Sequence, residues 1–476
     1  MYRLFAKHLP WILLTLITSS LLYIFLFKIP IQLGGDIIDY FGPTETLLQH
    51  KTLFLTPETK ESLSEILNPG YFRDYYNIAG KNSELYPVHF IFYSLILLPF
   101  RIILKTLHLQ ELRVFYVVNI FLFMSAIAVI WKKYIKTNKN RLTFLSLALF
   151  SSLMSFFKWP GPDLFYLLLL TIGSLAFLNQ EYLLATLLVS VASWHSQPLI
   201  ILASIMLITY LRTRKISFKS ILSSLMVIVL LTTPYLYNYW IFGLLTPWSA
   251  IPDGWTQLRG FGLHNLSLFK LYEQFFDLNF GLFWYVPFFI FGGIFKIIQE
   301  ALVSKKYHSP FLLTAFMVTA LFYQTNPAWH YGTAGYGPSR HAVFMLPVFL
   351  VLTFKFLTGL SNKLWTIGLL SLTLMTNLVI LKTNNYLDPN LEKTHYHNYA
   401  ASYVLNTTPE LYNPTPEIFA DRTNHLEKDR PTTAIYKLDG QCKKAYVLIS
   451  DKEKVEKICG PIPTQQQSLN GFYVNY

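Results

Sequence analysis

Charge is the first thing this chain has little of. Of 476 residues only 14% are Asp, Glu, Lys or Arg, while 53% are hydrophobic and 17% aromatic. That balance excludes an ordinary soluble globular enzyme and fits a chain that crosses a bilayer many times. Acid is scarcer than base, with 26 acidic against 39 basic residues and a formal net charge of +13. In a soluble protein such an excess would point to nucleic acid. Here the basic residues gather in short loops between apolar runs and no basic-aromatic module accompanies them. They read as topology signals and contacts to anionic lipid, with no nucleic-acid partner expected. Cysteine is limited to Cys442 and Cys459, which excludes a Cys-rich zinc site and allows one disulfide. No small-residue cleavage site follows the first apolar run, Trp11 to Phe27. That run therefore reads as an anchoring helix and not as a removable signal. Internal repeats and low-complexity segments are also lacking.

What is present is a succession of apolar segments near 10–28, 114–131, 142–157, 164–179, 182–194, 198–211, 220–241, 281–300, 310–324, 340–358 and 364–381. Together they predict an all-α polytopic membrane protein of about 11 transmembrane helices. The stretch 88–108 is the exception. Its uninterrupted apolar part is short, Pro99 interrupts it, and Arg101, Lys105 and His108 fall on one helical face, as in an interfacial or re-entrant helix. With the N-terminus inside and 88–108 not crossing, the basic clusters 132–141, 212–219, 296–306 and 355–363 all fall inside. Residues 182–211 must then be two short helices around His195-Ser196-Gln197-Pro198. Residues 1–383 thus form a transmembrane domain, with an extracytoplasmic first loop and its interfacial helices over 30–111. Residues 384–476 turn polar and read as a small soluble α/β extracytoplasmic domain. There Tyr446–Ile449 is strand-like, Asp451–Ile458 is helical by period, and the two cysteines flank the pair.

This topology collects the chemically unusual residues on one side. The first loop opens on Gly34-Gly35-Asp36-Ile37-Ile38-Asp39-Tyr40, two carboxylates three apart at the mouth of a membrane helix. Such acids are costly near lipid unless they face water or a ligand. The plainer alternative is that Asp36 or Asp39 caps the helix that follows. The later loops contribute Lys158 and Asp163, then His195, then Arg259, then His330, Arg340 and His341.

In this order the features resemble the GT-C superfamily of polytopic glycosyltransferases over roughly residues 10–382. The resemblance rests on Gly35-Asp36-x-x-x-Tyr40, Tyr86-Pro87-x-His89 and Pro162-Asp163. It continues through His195-x-Gln197-Pro198, Gly281-Leu282-Phe283-x-Tyr285-x-Pro287 and Gly337-Pro338-x-Arg340-His341 ahead of a span. It implies transfer of a hexose or pentose, with inversion, from a polyprenyl-phosphate carrier to a glycan, lipid or protein acceptor outside the cytoplasm. It places the chain in a plasma membrane of bacterial inner-membrane type. Asp36 matches the general base that takes the acceptor proton. Arg340, with Lys158, matches the cations that hold the carrier phosphate. Asp163 matches an acidic position that in some members helps bind a metal. Asp39, Tyr40, His195, Arg259, His330 and His341 complete the expected substrate-binding set.

Three departures narrow the resemblance. The chain lacks the adjacent Asp-Glu pair of protein O-mannosyltransferases and the Trp-Trp-Asp motif of oligosaccharyltransferases. Its second loop offers one carboxylate and not two, so no metal ligands are assigned, although a divalent Mg or Mn ion stays compatible as a cofactor. Each residue also has a plainer role. Asp39 suits a cap, Arg340 an interface anchor and Lys158 a snorkelling partner of Trp159. The histidines suit hydrogen bonding. Two rival functions are an O-antigen polymerase or ligase type enzyme and a non-enzymatic transporter or scaffold. The first usually carries its large basic loop in mid-chain. The second usually shows internal repeats or charges at mid-membrane.

Overall fold

The computed structural model describes residues 2–31, 36–67, 78–214, 217–247, 262–305, 307–326, 328–330, 337–360, 363–383, 395–426, 431–462 and 471–476. It is mostly helical, with few strands. Among the described residues, three helical stretches are long and apolar enough to cross a membrane: His8–Phe27, Glu111–Lys133 and Phe218–Phe242. Several shorter apolar helices accompany them. The chain divides into two compact units.

The first unit comprises Met1–Gln257, Phe288–Thr319 and Phe344–Leu378. It begins with α1 (Tyr2–Phe27), α2 (Ile37–Gln49) and α3 (Pro57–Leu67). A two-stranded ribbon follows, Ile78–Ala79 (β1) against Leu85–Tyr86 (β2). Next come α4 (Phe92–Thr106), α5 (Val114–Lys133), α6 (Asn138–Leu149), α7 (Asp163–Leu178), α8 (Tyr182–Ala192), α9 (Leu199–Thr213) and α10 (Phe218–Phe242). Later parts of the chain add α13 (Pro287–Ile298), most of α14 (His308–Tyr323), α15 (Leu346–Gly359) and most of α16 (Lys363–Thr383). Helix α5 lies at the centre, packing on α1, α4 and α7, while α7 also packs on α8 and α15. Its Phe115, Phe123 and Trp131 are buried, while Phe121 and Val129 stay exposed. Helix α10 by contrast leaves Phe218, Leu222, Leu225, Val229, Leu236 and Trp240 exposed, the all-apolar surface expected of a helix that meets lipid.

Three local features refine the sequence pattern. The chain does break between α8 and α9 around His195–Pro198. Residues 142–157 are not one continuous helix: α6 stops at Leu149 and Ser151 caps a separate 3₁₀ turn, Ser152–Phe157, by accepting the Leu153 N–H. The 281–300 run is broken as well, into α12 (Leu282–Tyr285) and α13. Pro287, which opens α13, cannot donate to the preceding turn.

The 88–108 segment forms α4, 15 residues with Pro99 inside. Its polar residues do not share one exposed face. Lys105 and His108 are exposed, but Arg101 is completely buried. Its guanidinium pairs with Glu45 of α2, donates to Glu111 Oε2 at 2.6 Å and to Thr44 Oγ1 at 2.7 Å, and lies 4.0 Å over the Phe41 ring. Glu45 also accepts from Ser62 of α3 at 2.6 Å. One buried cation thereby ties α2, α3 and α4 together.

The second unit comprises Leu258–Pro287, Ala320–Val343 and Val379–Tyr476. It contains α11 (Leu268–Phe276), α12, α17 (Tyr399–Thr407), α18 (Pro416–Asn424) and α19 (Lys452–Cys459). An antiparallel sheet runs β3 (Ala434–Leu438), β4 (Gln441–Leu448), β5 (Gly471–Asn475) in that order. Asp439 and Gly440 both take positive φ, 50° and 82°, and close the β3–β4 hairpin, the primed turn that an Asp-Gly pair favours. On one side of the sheet Leu405, Phe419 and Ala420 pack with Ala434 and Tyr446. On the other, Val455 packs with Ala445, Val447, Phe472 and Val474. Cys442 and Cys459 form a disulfide joining β4 to the end of α19. The C-terminal segment shares its core with the two earlier stretches, since Ile418 packs on Phe280 and Trp329.

Candidate functional site

Asp36 occupies the N-cap position of α2, yet its side chain makes no capping hydrogen bond to that helix. Asp39 stands one turn on, in the first turn of α2. His89 arrives from the Tyr86–His89 passage between β2 and α4, and its Nε2 lies 3.7 Å from Asp39 Oδ2. One donor atom each from Asp36, Asp39 and His89 lies within 4.8 Å of the others, and all three residues are half-buried. Among the described residues this is the group of carboxylates and imidazoles whose donors converge at the spacing of a metal site.

A layer of rings backs the trio. Tyr40 stacks on the His89 imidazole at 5.3 Å and 15°, and meets Tyr93 edge-on at 5.4 Å. His195, from the α8–α9 turn, lies 6.1 Å from both tyrosine rings. Phe90, Phe92 and Phe165 enclose it further. Both His195 nitrogens are buried and neither has a hydrogen-bond partner among the described residues. Burial, and then the nearby charge of His89, push its pKa down to about 3, so it is neutral at physiological pH.

The second loop is fastened to the same wall. Tyr93 donates to Asn119 Oδ1 at 2.8 Å, and Asn119 Nδ2 donates to the carbonyls of Phe156 and Trp159, each at 3.0 Å. Lys158 and Trp159 are buried, 2% and 6% exposed, and so do not form an exposed pair at an interface. Asp163 is fully buried in the first turn of α7 and accepts from Tyr166 at 3.0 Å. An acid there also suits the helix dipole.

Thus Asp36, Asp39, Tyr40, Lys158, Asp163 and His195 all belong to the first unit, and Tyr40 and His195 join the acidic pair through ring contacts. His330, Arg340 and His341 belong to the second unit. Arg259 lies outside the described residues. In the second unit His330 is buried with Nε2 3.7 Å from Asp421. Arg340 and His341 follow Ser339, whose N–H donates to Phe280 O and whose hydroxyl donates to Trp329 O, both at 2.9 Å. The Gly281 motif is structural in this unit, since a Cβ there would meet the Asp277 carbonyl oxygen at 2.5 Å.

Around that turn lies a buried polar network without an obvious sequence signature. Glu273 accepts from the Thr415 N–H at 2.6 Å, and Tyr412 donates to Asp277 at 2.7 Å. Burial and then the Asp277 charge push Glu273 up to about 9, and burial also raises Asp277. Nearby, Lys270 pairs with Glu417 at 3.0 Å. Asp421 accepts from His395 at 3.0 Å. Burial alone would raise Asp421, but the His330 and His395 contacts and the Arg422 charge outweigh it and hold the carboxyl below its usual range.

No protein-family model, curated protein or solved structure matches the chain. The residues themselves therefore carry the functional reading.

Proposed function

We propose that the chain is a multi-pass membrane glycosyltransferase of GT-C type. It would move a hexose or pentose from a polyprenyl-phosphate carrier to an extracytoplasmic glycan, lipid or protein acceptor, with Asp36 as the general base. The observation that carries this reading is the state of Asp36. It stands where a helix cap would stand but does not cap α2. Its carboxylate is instead grouped with Asp39 and His89, which favours chemistry over local structure. A base needs a partly dry setting beside the acceptor hydroxyl, and the half-buried trio in front of the Tyr40–Tyr93–His195 ring layer suits that need. Lys158, in the same unit as Asp36, keeps its assignment to the carrier phosphate, whose leaving oxygen gains charge as the sugar departs. The expected topology is eleven spans with the C-terminal segment outside, and the Cys442–Cys459 bond is in keeping with an oxidising compartment.

The test is sugar transfer from radiolabelled polyprenyl-phosphate sugars by the purified protein in lipid. Asp36→Asn is expected to lower turnover by about 10²–10⁴-fold, the usual contribution of general-base catalysis. An Asp36→Asn protein as active as wild type would reject the assignment.

A further inference from the structure

We infer that α11 (Leu268–Phe276) lies flat in the bilayer interface and that its aromatic face is a lipid contact of the second unit. The helix is inside out for a segment surrounded by water. Its polar side chains turn inward: Glu273 and Gln274 are 2% and 1% exposed, and Asp277 just beyond the helix is buried with them. Lys270 turns in as well, pairing with Glu417 at 3.0 Å and lying 5.6 Å from the centre of the Trp329 ring. The apolar side chains turn outward, with Leu268 77% exposed, Tyr272 56%, Phe269 50% and Phe276 40%. A helix packed on a core in water shows the reverse arrangement. Ser267 fixes the start of α11 by accepting the Phe269 and Lys270 N–H groups at 3.2 and 3.4 Å. Both faces therefore belong to a capped, regular helix and not to a frayed end.

The outward side chains form one continuous strip. Phe269 meets Tyr272 at 6.2 Å, Tyr272 meets Phe276 at 5.1 Å, Phe276 meets Phe283 at 5.4 Å and Phe283 meets Trp284 at 5.3 Å. Leu263 and Leu266, both exposed, extend it ahead of the helix. A contiguous apolar strip of this kind marks a surface that something covers. Three features point to lipid as the cover. No Lys, Arg, Asp or Glu stands among the exposed residues of α11, so the face carries no charge to orient a protein partner. Tyr272 and Trp284 are the amphipathic rings that concentrate at membrane–water boundaries. Trp284 also satisfies its own Nε1 by donating to Phe276 O at 3.0 Å, so its indole can lie in an apolar layer without an unpaired donor. The strip ends three residues before Pro287 opens the apolar helix α13, so chain connectivity keeps it beside a segment expected to enter the bilayer. An interfacial helix is held there by the apolar area it buries. The inference stands independently of the proposed sugar transfer.

The test uses full-length protein in nanodiscs whose phosphatidylcholine carries bromine near the top of the acyl chains. Both native cysteines are held in the Cys442–Cys459 disulfide, so one added cysteine takes a fluorophore selectively. Labels at Phe269→Cys and Tyr272→Cys are expected to be quenched by the bromolipid about two-fold more strongly than a label at Glu410→Cys, an exposed position of the same unit. Aqueous iodide should give the opposite order. A second measurement needs no substitution: a phosphatidylcholine with a photoactivatable diazirine at the same depth should label wild type within residues 268–284, read by mass spectrometry. Quenching of the Phe269→Cys and Tyr272→Cys labels by iodide alone would leave the strip in open water and overturn the inference. Protection from both quenchers, or crosslinks to a second copy of the chain in place of lipid, would make it a protein contact and also overturn it. So would wild type without lipid adducts on 268–284.

Discussion

Arg101 of α4 reaches back 56 residues to pair with Glu45 of α2, and both side chains are essentially sealed from solvent. Removing one partner of such a pair leaves an uncompensated buried charge, at a cost of about 3–5 kcal/mol. Arg101→Met should therefore lower the thermal midpoint of the purified protein sharply. Arg101→Met combined with Glu45→Leu should recover most of the loss. A double variant no better than the single one would show that the charge is not what holds α2 to α4.

His195 separates packing from function. Its two buried nitrogens find no hydrogen-bond partner among the described residues, and an unsatisfied buried polar group costs about 1–3 kcal/mol. His195→Phe is expected to melt at the same temperature as wild type or higher, and to transfer sugar at least ten-fold more slowly. Unchanged transfer would reduce His195 to a packing residue of the ring layer.

The second unit should respond to pH through Glu273. Its carboxyl rises from an ordinary 4.5 to about 9 in the folded chain. The folded state thus holds a proton that the unfolded state has released. That contribution to stability is complete below about pH 4.5 and is lost as pH climbs through 9. Below pH 6.5 the neutral His397, held down to about 3 by burial, acts in the opposite sense. Between pH 7 and 9 Lys444, held down to about 8 by burial, also titrates and acts in the opposite sense, so the glutamate is read as the difference between two proteins. Protease resistance of the C-terminal segment should fall more steeply across this interval in wild type than in Glu273→Gln. Equal slopes would show that another group titrates.

The Cys442–Cys459 bond closes a stretch with a sequence separation of 17. A loop of this size is worth about 3 kcal/mol in the chain-entropy account. Reduction, or Cys442→Ser with Cys459→Ser, should loosen the sheet and α19, read as faster proteolysis after residue 431. The first unit should keep its thermal transition.

Much of this architecture can be read from residue order, for identifiable reasons. Apolar runs mark most of the helices because burial imposes a period that sequence displays directly. His195 to Pro198 breaks α8 from α9 where Pro198 restricts the residue before it. Tyr446–Ile449 and Asp451–Ile458 fall close to β4 and α19. What cannot be read are polar contacts between distant residues. Nothing near Arg101 announces Glu45, so the period of α4 alone places that cation on a wet face. Tyr412 and Asp277 meet across 135 residues, and no local pattern predicts them. The acidic pair at Asp36 and Asp39 is visible in sequence, but the arrival of His89 beside it depends on the β1–β2 ribbon and the entry to α4. Apolar runs also overstate continuity: 142–157 and 281–300 are predominantly hydrophobic, yet hydrophobicity does not record where Ser151 or Pro287 ends a helix.

The interleaving of the second unit bears on biogenesis. Asn398 grips the backbone of Leu278 and Asn279, and Thr415 supplies the donor to Glu273. Those earlier stretches leave the ribosome more than a hundred residues before their partners do. Until the last part of the chain emerges, Glu273, Asp277 and Trp329 must wait with their buried surfaces uncovered. A nonsense mutation near residue 383 would then strand that earlier region half-made, a natural substrate for quality-control proteases.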